Sequence, residues 1–160
     1  MDNLLPILII GMVIALAVGP VMLMQPTPRQ RQLAKLRAKA AGRGIIVSSA
    51  IWPQQLSAKA KYCARYIAPW QKTTGRAADC LLIRRDYQHE LHVANNWEVH
   101  PKSATPPAAL VSYLQGEVLP SIKAMGCGSQ GVFADWTESH SVDYDTIEQA
   151  VLSIRDQIQG

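Results

Sequence analysis

Cys127 stands between Gly126 and Gly128, with His140 and Asp143 downstream. A thiol becomes a nucleophile when a base takes its proton, and His140 beside Asp143 is the nearest such pair in sequence. The same Gly-Cys-Gly run also reads as a helix stop around a small apolar residue, and this is the preferred reading. His89-Glu90-Leu91-His92 comes closest to a metal-ligand pair. On a strand, His89 and His92 point to opposite faces and cannot share an ion, and the local alternation favours a strand. His100 and His140 match no ligand pattern. The chain lacks HExxH, CxxC, CxxCH, a phosphate-cradling Gly-rich loop and a dinucleotide fingerprint. The expectation is therefore a non-enzyme with no metal and no cofactor. A tethered enzyme using Cys127 or the histidines is kept as an alternative.

These residues sit in a stretch from 44 to 160 that reads as one α+β domain. Strands are expected at Gly44–Ile51, Ala60–Ala68, Asp79–Arg85 and Tyr87–Val93, with Trp97 and Val99 adding a short piece. Thr105, Pro106 and Pro107 open a helix whose Leu110, Val111, Leu114, Val118, Ile122 and Met125 repeat at helical spacing, with Gly116 and Pro120 weakening its second half. Gly131–Thr137 alternates as a strand. Asp145 and Glu148 form a capping box for a last helix striped by Ile147, Val151, Ile154 and Ile158. The order β-β-β-β-α-β-α implies a small, mostly antiparallel sheet with two helices on one face.

Charge divides the chain. Residues 1–78 carry eleven basic side chains against Asp2 alone, a net +10, while residues 79–160 carry five basic and eleven acidic, a net −6. Such asymmetry points to an anionic surface facing one half. Leu4–Met24 has no charged residue, and as a helix it would run about 31 Å. Asp2 replaces the basic start of a signal peptide, so the segment reads as an uncleaved single-pass anchor. The basic block after it places the following domain in the cytoplasm and the N-terminus in the periplasm. Three cysteines at irregular spacing (Cys63, Cys80, Cys127) suit free thiols in a reducing compartment. The reading is an anchor over 1–25, a basic juxtamembrane helix over 26–43 and a cytoplasmic domain over 44–160.

Gly11, Ala15 and Gly19 recur every fourth residue, a small-residue stripe that lets another helix approach closely. That helix is a second copy or a subunit of a larger complex. Thr27 caps the next helix, with Pro28 at its first position. Arg29, Arg31, Lys35, Arg37, Lys39 and Arg43 then contact lipid headgroups or an acidic partner surface. Nucleic acid is not the expected partner, because no reading motif accompanies the charge. Trp52-Pro53 and Pro69-Trp70 lie in loop-like contexts. Trp52 and Trp70 are thus either core packing or contacts to the membrane or a partner.

An apolar span, then Gln25-Pro26-Thr27-Pro28-Arg29-Gln30-Arg31-Gln32, ending near Gly44-Ile45-Ile46-Val47, resembles the YajC-type auxiliary subunit of the bacterial preprotein translocase. The resemblance covers residues 4–47 and lies mostly in layout. It implies a bacterial inner-membrane location and, as an alternative, a translocase partner. The leading expectation is a non-enzymatic accessory or assembly subunit of a bacterial inner-membrane complex.

Overall fold

The structure is a computed structural model and describes residues 4–23, 25–52, 62–73, 77–87, 93–139 and 143–160, with side chains of the first helix described at 6–16 and at Val18. The chain divides into two compact units, Met1–Ala34 and Lys35–Gly160.

The first unit holds α1 (Leu4–Leu23) and the start of α2 (Pro28–Gly42). The expected anchor is corrected: among the described residues, no helix is long and apolar enough to cross a membrane. The single-pass topology and the inner-membrane placement that rested on it fall with it. The expected cap of α2 is present and is reciprocal. The Gln30 N–H donates to Thr27 Oγ1 at 3.3 Å, and the Thr27 N–H donates to Gln30 Oε1 at 2.8 Å. Two otherwise orphaned amide donors are satisfied in this way.

The second unit is α+β. Its strands are β1 (Ile46–Ile51), β2 (Tyr62–Pro69), β3 (Cys80–Arg84), β4 (Trp97–His100), β5 (Ile122–Cys127) and β6 (Gly131–Trp136). They form one antiparallel sheet in the order β1-β2-β6-β5-β3-β4. Its further helices are α3 (Ala108–Gln115) and α4 (Tyr144–Gln159). Period-2 alternation sends Ala64, Tyr66 and Ala68 of β2 and Val132, Ala134 and Trp136 of β6 into one core with Ile147, Val151 and Ile154 of α4. Leu36 and Ala40 of α2 and Leu110 and Leu114 of α3 join that core, so three helices contribute where two were expected. Tyr66 is edge-on to both Trp136 and Tyr144, at 5.5 and 5.9 Å between ring centroids. The opposite face is buried too, at Ile67, Ile83, Ala124 and Asp135.

Four local expectations are corrected. The long helix ends at Gln115, where Gly116 turns extended, and residues 122–127 form β5. A bulge between Ile122 and Ala124 puts Ile122, Met125 and Cys127 on the helix-bearing face, which imitates helical spacing. Gly126 is not a stop. It lies within β5, where a Cβ would collide with the Cys80 carbonyl and come within 2.8 Å of the Phe133 ring. At α4 the N-cap is Asp143 with no side-chain cap bond, so the Asp145/Glu148 box is absent. Nor does Thr105 cap α3, which follows Pro107 with no side-chain cap bond. Asn95 serves its other end, its amide donating to the Leu114 and Gln115 carbonyls, both at 3.2 Å. The strand expected at Tyr87–Val93 falls mostly outside the described residues.

Candidate functional site

Basic residues expected to face outward meet the acidic half of the same chain. Arg37 forks onto Glu138, with Nε to Oε1 at 3.0 Å and Nη2 to Oε2 at 2.6 Å. Lys39 reaches Asp145 at 2.6 Å and lies over the Tyr144 ring at 5.1 Å. Arg43 reaches Glu148 at 2.7 Å. The pairs are not equal. Both members of Lys39–Asp145 are well exposed, which limits such a pair to about 0–1 kcal/mol. Glu148 is 1% exposed, so Arg43 neutralises a desolvated carboxylate. Tyr66 Oη donates to Glu138 at 2.9 Å, and burial followed by that carboxylate pushes the phenol above its ordinary range. This seam is built to hold α2 to the domain. Arg29, Arg31 and Lys35 are exposed, and Arg31 donates to the Pro26 carbonyl at 3.1 Å.

On the opposite face of the sheet, Arg65 of β2 forks onto Asp135 of β6 at 2.6 and 2.7 Å. Its guanidinium also lies 4.0 Å from the Phe133 ring centroid. Sequence reasoning passed over this pair. Its signal was an Arg and an Asp each set into an otherwise apolar strand.

Cys127 is not an exposed nucleophile. It is buried and stands directly across from Cys80 in the β3–β5 register. The hydrogen bond between the two thiols, and then burial, push Cys127 above its ordinary range, while the same bond draws Cys80 down. Burial pushes Cys63 up to about 12. None of the three combines exposure with a low pKa, as a catalytic thiol requires. Carbamidomethylation of the folded chain at mildly alkaline pH is expected to leave all three unmodified, and denaturation to expose all three. Rapid labelling of Cys127 in the folded chain would overturn that assignment. His140, His89 and His92 lie outside the described residues. His100 Nε2 stands 3.4 Å from Glu98. Among the described residues, no group of three His, Cys, Asp or Glu could hold a metal.

An open cleft of about 390 Å³ is lined by Ser121, Lys123, Thr137, Ser139 and Asp143. Ser121 donates to Asp143 at 2.7 Å. A carboxylate is a weak base for an alcohol, and the described lining offers no imidazole.

Trp70 is fixed within the domain, its indole donating to the Gly128 carbonyl at 2.9 Å while its body packs on the core. Trp52 is half-buried at the end of β1. Of the small-residue stripe, Gly11 and Ala15 are exposed, and a Cβ at Gly11 would meet open space. The surroundings of Gly19 lie outside the described residues. Around that stripe α1 exposes Ile7, Leu8, Ile10, Met12, Val13, Ile14 and Leu16 at 56–71%. Comparison with protein-family models, with curated proteins and with solved structures found no match to this chain.

Proposed function

We propose that this chain is a non-enzymatic accessory subunit that uses α1 to join a larger protein assembly. The observation that carries this reading is the exposure of α1. Its described side chains are apolar and open on every face, while the second unit closes a core of its own. Apolar surface of that extent in contact with water is unfavourable by roughly 25 cal/mol per Å². A contiguous apolar patch of this kind marks an interaction site. A cover on all sides requires more than one helix, from copies of this chain or from another subunit. Gly11 and Ala15 leave a shallow lane through which one of those helices can come close. The intramolecular pairing of Arg37, Lys39 and Arg43 supports a role for the second unit as a self-contained body carried by that arm.

The full tagged chain, purified from its native cells and weighed by native mass spectrometry, is expected in an assembly several times its own 17.6 kDa. Ile10→Asp combined with Ile14→Asp is expected to release it from that assembly, with an unchanged circular dichroism melt of the domain. A wild-type chain that is monomeric at every concentration tested would overturn the reading.

A further inference from the structure

We infer that β1 is a second, independent contact surface, pairing edge to edge with β1 of another copy of this chain about a twofold axis through Ser49. Three observations lead there. First, β1 is the terminal strand of the sheet among the described residues, paired on one side only, with β2. Its other side presents backbone donors and acceptors that another strand can pair. Secondly, among the described residues β1 has no charge, proline or bulge to guard its edge. Its sequence is Ile-Val-Ser-Ser-Ala-Ile, and the bulge in this sheet lies far away in β5. Ile46 and Ile51 are 47% and 58% exposed and Ser49 is open.

The third observation selects the occupant. Two copies joined antiparallel at an edge are related by a twofold perpendicular to the sheet. That symmetry keeps each face on its own side, so position i can oppose only a position of the same parity. With Ser49 on the axis, Val47 lies opposite Ile51 of the second copy and Ser48 lies opposite Ala50. Ile46 comes level with Trp52. The helix-bearing face then gains two β-branched apolar pairs flanking a pair of serines, and the other face gains small residues beside Arg65. No like charges meet at any step. The neighbouring register, with Ser48 on the axis, sets Val47 against Ser49 and brings Ile51 level only with Ile45, which is buried in the chain's own core. A strand self-complementary about its own centre fits a copy of itself. Cross-strand pairs of this kind contribute favourably.

The contact does not depend on α1, so the two can fail separately. Ser49→Cys in the full chain places two thiols directly across the axis. Mild oxidation is then expected to convert most of the chain to a disulfide dimer of twice 17.6 kDa on a non-reducing gel. Ser48→Cys places its thiols two residues out of step. Their Cα separation exceeds the roughly 7 Å that a disulfide spans, and only background dimer is expected. The Ser49→Cys crosslink should persist when Ile10→Asp and Ile14→Asp are added, and it should vanish when Val47→Lys sets charge against Ile51. No crosslink at Ser49→Cys, or equal crosslinking at both positions, would overturn the proposal.

Discussion

Replacing Asp135 with Ala is expected to lower folding stability by about 3 kcal/mol, because a half-buried cation would lose the one carboxylate bonded to it. Asp135 is 1% exposed, and Arg65, at 29%, retains only partial access to water. Both of its hydrogen bonds go to that carboxylate. The Arg65 guanidinium cannot shed its proton to escape, since its ordinary pKa lies far above any working pH. It would stay charged against Phe133 with nothing to balance it. Removing both partners is a different experiment. Arg65→Met with Asp135→Leu deletes the desolvation cost along with the attraction, and a change near neutral is expected. Urea titration of the three chains measures this. A single Asp135→Ala loss below about 1 kcal/mol would show the pair to be solvated like a surface bridge.

Trp136→Ala is expected to cost about 3–5 kcal/mol, by a different route. Trp136 is fully buried at the end of β6, where the Tyr66 ring meets it edge-on. Truncation leaves a cavity that the strands on either side cannot close, and it removes an aromatic pair worth about 0.5–1.5 kcal/mol beyond its area. The indole N–H has no hydrogen-bond partner among the described residues. Trp136→Phe therefore gives up volume but no bond, and its cost should be well under half that of Trp136→Ala. Equal losses would mean that the N–H is bonded in solution. Thermal melts read by near-ultraviolet circular dichroism separate the two outcomes.

Elements with a plain period were legible. The alternation of Ala64, Tyr66 and Ala68 marks β2, that of Val132, Ala134 and Trp136 marks β6, and the Ile147–Ile154 stripe marks α4. β5 was not legible. Its bulge restores a three-residue step between Ile122 and Met125, so a strand wears the spacing of a helix. Asp145 and Glu148 suit a local cap in type and spacing, yet their carboxylates are held by Lys39 and Arg43, more than a hundred residues away. Local pattern carries no record of such partners. The charge division shows the same gap. The sequence displays a basic half and an acidic half, but only the fold brings Arg37, Lys39 and Arg43 against the acids near α4. At α1 the composition was legible, but the environment that surrounds the helix is set by what lies next to it in space.

The strand order has a consequence for how the chain acquires its fold. β2 and β3 follow one another in sequence but stand apart in the sheet, with β6 and β5 between them. The β1–β2 pair and the β3–β4 pair are thus two separate ribbons until the late hairpin arrives to join them. On a ribosome, the first ribbon would emerge and wait through some sixty residues of synthesis before its β6 neighbour existed. A two-stranded ribbon alone is marginal in water. Non-local pairing of this kind makes folding slow, on the millisecond-to-second scale. During that interval the apolar strands are open to wrong partners, and a chain cut short before Trp136 would have no sheet to complete.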